Sequence, residues 1–181
     1  MKKTVLFYIL FTAAVIGLVA QQQAAAEISF SFTRQSGSAS NQFAVWIEDA
    51  QGRYIKTLYA TRYTANGGFK RRETSIPVWV RQSGLSAMTK AQVDALTGST
   101  PRAGTLTYTW DGTDSRGAAL PAGNYVICLE GTLRWENQVM YRAPIRTGQG
   151  AAAAQVSVEY TGTPPGDERT MITNVTARSL R

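Results

Sequence analysis

The chain has 181 residues, 44% of them hydrophobic, with 19 Lys and Arg against 12 Asp and Glu for a net charge of +7. It contains no His and one Cys, Cys128, which excludes Ser-His-Asp and Cys-His nucleophile systems, His-based zinc or iron sites, thiolate metal clusters and an intrachain disulfide. The positive surplus comes without a long basic run, so it does not point to nucleic acid; it suits an anionic ligand or an acidic protein partner.

Residues 1–26 read as an export signal. Lys2 and Lys3 supply the positive start, Val5–Ala20 an apolar run, and Ala24-Ala25-Ala26 the small residues that a signal peptidase reads, so cleavage is expected after Ala26. The sixteen residues of that run fall short of the roughly 20 needed to span a bilayer. No Cys lies near the cut, so a lipid anchor is not expected. Residues 27–181 are expected to form one domain, large enough to bury a sizeable core. Without Lys2 and Lys3 its net charge falls from +7 to +5.

Apolar and polar residues alternate through most of this region, which is the period of a half-buried strand. Ile28, Phe30 and Phe32 alternate with Ser29 and Ser31. Phe43, Val45 and Ile47 follow, and "EDAQG" at Glu48–Gly52 turns the chain into a second strand over Arg53–Thr61. Lys70, Arg71 and Arg72 in "FKRRETS" form a basic hairpin end that is either solvated or docks an anionic partner. Trp79 in "PVWV" belongs to a strand-like segment. "SAMTKAQVDAL" breaks the alternation: Thr89 can cap a short helix with Val93 and Leu96 on one face, stopped by Gly98 and Pro101.

Gly104–Trp110 is the clearest strand, with Leu106, Tyr108 and Trp110 on one side and Thr105, Thr107 and Thr109 on the other. Asn124–Trp135 is a long strand with Tyr125, Ile127 and Leu129 on one face. Cys128 between them reads as a buried small hydrophobe. "TGQGAAAAQ" and "YTGTPPGDER" are expected as loops, with a strand around Val156, Val158 and Tyr160 between them and a last one over Met171–Ala177. About seven to nine short strands separated by Gly-, Pro- and Asp-rich turns predict a sandwich or barrel.

The chemistry-bearing stretch is Val93–Pro101, "VDALTGSTP". Two readings stand. Thr, Gly, Ser and Pro are ordinary residues for a helix-exit turn. One of the same hydroxyls, on a flexible turn, could instead be a site of covalent chemistry. The acidic pairs Glu48-Asp49 and Asp167-Glu168 both lie in turn-like sequence. Nothing in the composition proposes an enzyme.

Two resemblances extend this reading. Trp110–Gly131, "WDGTDSRGAALPAGNYVICLEG", resembles the signature of the immunoglobulin-like domain in flagellar hook-capping proteins. Its Asp111-Gly112 and Arg116-Gly117 frame a turn, Leu120 plugs the core, and Tyr125 packs inward. The region after residue 26 resembles a family of bacterial periplasmic domains of unknown function that join a hairpin like "FAVWIEDAQGRYIKTLYATRYT" to "PVWV", a short helix and "WDGTDSRG…PAGNY". That resemblance implies a periplasmic location and the company of PepSY membrane proteins and FAD:protein FMN transferases.

Exported flavoproteins with covalent FMN carry the pattern Asp, any residue, an aliphatic residue, Ser or Thr, Gly, Ala, Thr. Asp94, Ala95, Leu96, Thr97, Gly98, Ser99 and Thr100 match it with one departure, Ser99 in place of Ala. The resemblance makes Thr100 the acceptor of a phosphoester, with Asp94, six residues earlier, in recognition or orientation. It also has Gly98 allowing positive φ and close approach of a second backbone, and Arg102 near enough to neutralise the added charge. Trp79 and Trp135 could flank a flavin ring, or serve as core or rim.

The sequence thus predicts an all-β, immunoglobulin-like β-sandwich with one short inserted helix. The expected role is that of a non-enzymatic periplasmic protein, binding or scaffolding a membrane partner in extracytosolic electron transfer or iron acquisition. The alternative is an electron carrier with FMN on Thr100.

Overall fold

The computed structural model describes residues 23–37 and 41–181. The Lys2-Lys3 start and the Val5–Ala20 run of the export signal lie outside them. The described chain forms the expected all-β sandwich of two sheets with a small helical insertion. The strands are β1 (Ala26–Phe32), β2 (Gln42–Asp49), β3 (Tyr54–Thr61), β4 (Thr97–Gly98), β5 (Gly104–Trp110), β6 (Asn124–Arg134), β7 (Asn137–Arg146), β8 (Ala152–Ala153), β9 (Ser157–Thr161) and β10 (Ile172–Ser179). One sheet runs β5-β1-β10-β8; the other runs β4-β3-β2-β6-β7-β9. Every pairing is antiparallel except the short β3–β4 contact.

The core between the sheets follows from period 2. Ala26, Ile28, Phe30 and Phe32 of β1 and Phe43, Val45 and Ile47 of β2 all point into it. The Glu48–Gly52 turn is closed by the Asp49 carboxylate, which accepts from the Gln51 and Arg53 amides at 2.9 Å. Tyr125 is buried, its ring edge-on to Trp110 at 4.8 Å and its hydroxyl donating to the Pro121 carbonyl at 2.6 Å. Ala25 and Ala26 are also core residues. The Ala25 amide donates to Trp110 and its carbonyl accepts from Leu180, so the sandwich begins just upstream of the expected cleavage point.

β2 and β6 are buried on both faces, because the segment between β3 and β4 covers the outer face of the larger sheet. Ala44, Trp46, Ala60, Ile76, Trp79 and Cys128 form a second core there. This corrects the expectation of one short helix. The Lys90–Leu96 helix is present, with a capping box between Thr89 and Gln92, but a helix over Pro77–Gln82 and a kinked helical stretch over Thr64–Arg71 precede it.

Trp79 therefore lies on a helix rather than a strand, and it is fully buried. Sheet side chains hold that helix in place. Glu130 accepts from the Val78 and Trp79 amides at 3.0 and 2.7 Å, Thr132 accepts from the Ile76 amide at 2.8 Å, and Thr57 accepts from the Trp79 indole at 2.9 Å. "KRR" belongs to the kinked stretch and its exit, not to a hairpin end. The expected Asn124–Trp135 strand ends at Arg134, and Trp135 sits in an exposed turn at φ 51°. Beyond it the ten-residue β7 was not anticipated, and "TGQGAAAAQ" contributes the two-residue β8.

Candidate functional site

The insertion delivers the "VDALTGSTP" loop to the outer end of β3. The Lys90–Leu96 helix presents Asp94 to solvent, where its carboxylate pairs with Lys90 at 2.6 Å. The Lys90 ammonium, and behind it the Arg62 guanidinium, hold that carboxyl below its usual range. Asp94 is thus engaged with a helix neighbour, away from any role in deprotonating Thr100.

The chain then leaves the helix as β4, with Thr97 and Gly98 opposite Ala60 and Thr61. Gly98 is extended rather than positive in φ, which corrects the expectation for it. Its missing side chain matters for a different reason. A Cβ here would lie 2.6 Å from the Tyr59 ring and 3.0 Å from its hydroxyl. Tyr59 uses this close approach to donate to the Ser99 carbonyl at 2.5 Å. The same ring packs on Phe43 and Tyr108 at 5.3 and 5.0 Å, so the loop is tied directly to the sandwich core. Burial raises the Tyr59 pKa, with Arg62 acting in the opposite direction, which leaves the phenol a neutral donor.

The three hydroxyls of the loop have different surroundings. Thr97 Oγ1 is buried and has no hydrogen-bond partner among the described residues. Ser99 is exposed and Thr100 is half-buried. Ser99 and Thr100 line an open cleft of about 670 Å³ whose other walls include Arg62, Tyr63, Lys70 and Arg71. Two stretches that the sequence presented separately, the hydroxyl loop and the basic "FKRR", therefore meet in one place. The expected cation, Arg102, is exposed and does not line this cleft. Arg62, Lys70 and Arg71 stand in its place.

Three cations and two hydroxyls converging on one cleft suit a phosphate-bearing group, since guanidinium and ammonium donors make charge-assisted bonds to phosphate oxygens. The other sequence candidates lie elsewhere. Trp135 is 59% exposed and carries the Arg72 guanidinium over its ring at 5.6 Å, and Trp79 is sealed in the second core. Cys128 is buried beside Glu48 and Arg142, and burial raises its thiol far above the usual range, which makes it inert.

No helix among the described residues is long and apolar enough to cross a membrane. No curated protein and no solved structure matches the chain. Residues 23–163 do match one family, and the matched span runs from the start of β1 through β9, taking in the helical insertion and the hydroxyl loop. Because that span is well over half of the 181 residues, the chain belongs to the family described as "Predicted periplasmic protein (DUF2271)".

Proposed function

We propose that this periplasmic protein is a non-enzymatic electron carrier that holds FMN as a phosphoester on Thr100. It would serve a PepSY-type membrane partner in extracytosolic electron transfer or iron acquisition. The observation that carries the reading is the cleft in which Thr100 meets Arg62, Lys70 and Arg71. A phosphodiester keeps one negative charge, and cations gathered along one cleft offset it better than the same charges spread over a surface.

In the attachment step, the Thr100 hydroxyl oxygen attacks the FMN-side phosphorus of FAD bound to an FAD:protein FMN transferase. The new O–P bond replaces the pyrophosphate bond, AMP leaves, and the hydroxyl proton passes to a base of the transferase. When bound, FMN would supply reversible electron uptake at modest potential. The chain's own residues perform simpler tasks. Tyr59 and β4 hold the loop, Thr97 keeps its hydroxyl inward, and Arg62, Lys70 and Arg71 bind the phosphate.

Ser99, where the pattern has Ala, is exposed at the cleft and adds a hydroxyl beside the acceptor. On this reading the signal would be removed near Ala26, and the catalysis of attachment would belong to the transferase.

Co-expression in exported form with a transferase and its divalent metal tests this reading. A yellow protein whose flavin survives denaturation and gel filtration is the expected result. A colourless product would favour the second reading, a scaffold whose cationic cleft takes an anionic segment of the membrane partner. The same three cations support that reading without a cofactor.

A further inference from the structure

Next to the Thr100 cleft lies a second hollow of about 470 Å³, and the two share the Asn66-Gly67 kink and Lys70. The two hollows differ in chemistry. The Thr100 cleft is walled by cations and hydroxyls. The second is lined by Phe69, Leu85, Met88 and Val93 beside the polar Asn66, Ser86, Lys70 and Lys90. Leu85 and Val93 are buried, while Phe69 and Met88 are half-buried against the second core and also line the hollow.

Gly67, at φ 92°, lines both hollows, and a Cβ there would meet nothing within 4 Å. A volume of this size falls within the range of small-molecule sites.

We infer that this second hollow seats the isoalloxazine ring of the flavin whose phosphate is held at Thr100, with Phe69 and Met88 against the ring. The inference rests on the carrier reading above and adds the ring's location to it. An anionic end joined by a short polyol to a flat aromatic head with a polar edge is matched by a cationic cleft that shares Asn66, Gly67 and Lys70 with a hollow lined by both apolar and polar side chains. Aromatic and thioether groups are the side chains that pack well on a planar heterocycle. Lys70 already lies over the Phe69 ring at 5.8 Å, which fixes its ammonium at the boundary the two hollows share. Lys90 is paired to Asp94, so the far rim carries little net charge.

The test uses the full exported chain labelled by the transferase. Peptide mass first establishes whether FMN sits on Thr100. Iodide quenching of the flavin emission is then measured for wild type, Phe69→Ala and Met88→Glu, with thermal melts to show that each variant folds. The expected result is a flavin several-fold less accessible to iodide than free FMN, with protection lost in both variants among the molecules that carry the label. Proton Overhauser contacts between the flavin ring methyls and the Met88 methyl in wild type provide a readout that needs no variant to fold. FMN on Thr100 with free-FMN accessibility and no such contact overturns the ring seat while leaving the carrier intact. Absence of FMN from Thr100 overturns the carrier reading and the ring seat together.

Discussion

Glu130 offers a sharp test of how the insertion is held, because it is a carboxylate that is 1% exposed at the centre of the larger sheet. Its burial pushes the pKa from 4.5 to about 7, against the opposing effect of the Trp79 and Val78 amides and of Arg81 and Arg142. The folded protein therefore keeps this proton between pH 4.5 and about 7, where the unfolded chain has lost it. Stability must fall as pH rises through that window and level off above it. At about 1.4 kcal/mol per pH unit, the rise from 4.5 to about 7 corresponds to about 3 kcal/mol.

Urea unfolding of wild type and Glu130→Gln across pH 4.5–8.5 isolates this contribution, since every other titration is common to both chains. Gln keeps one of the two acceptor oxygens that the Val78 and Trp79 amides use and does not titrate. The lost acceptor changes the level of the difference curve, and its slope with pH belongs to Glu130 alone. The difference in unfolding free energy should move toward the variant by about 3 kcal/mol as pH rises. A difference curve flat with pH would refute the placement of a buried, titrating carboxylate beneath the Pro77–Gln82 helix.

Further consequences can be measured in the same way. Tyr125→Ala should cost about 3–5 kcal/mol for a buried aromatic, and Tyr125→Phe about 1 kcal/mol for the bond to Pro121; a cost below about 1 kcal/mol for the Ala variant would place the ring outside the core. Gly98→Ala should cost about 1–3 kcal/mol by overpacking against Tyr59, and a double-mutant cycle with Tyr59→Leu should return a coupling that relieves the clash; additivity would contradict the contact. A chain beginning at Glu27 loses the two backbone bonds of Ala25 and should be about 1–3 kcal/mol less stable than one beginning at Gln23. Equal stabilities would show that Ala25 contributes nothing to the sandwich.

What the sequence made legible was whatever depends on local period and local caps. The alternation of β1 and β5, the Asp49 turn and the Thr89 cap are each decided within a few residues. "PVWV" misleads because β-branched and aromatic residues suit strands. Its helix is imposed from elsewhere, through Pro77 at the first turn and the Glu130 carboxylate more than fifty residues away. β7 escapes notice because Pro144 argues against a strand. β9 pairs only with Gln138–Arg142, so at Pro144 that side of β7 is an edge that asks for no amide. The Val139, Tyr141, Ala143 and Ile145 alternation was the signal that could have found it.

The hydroxyls of the candidate site were legible as a motif, but their cations were not. Arg62, Lys70 and Arg71 reach Thr100 only because the insertion folds back across the sheet, and proximity in sequence favoured Arg102 instead.

Peptide mapping decides whether one hydroxyl, that of Thr100, carries a flavin. The exported chain and three variants are expressed with the transferase, digested, and the peptide holding Thr97, Ser99 and Thr100 is weighed. One FMN-derived mass in wild type, Thr97→Val and Ser99→Ala, and none in a folded Thr100→Val, is the predicted result. A label that persists in Thr100→Val, or no label in wild type beside a transferase shown to be active on another substrate, would contradict it.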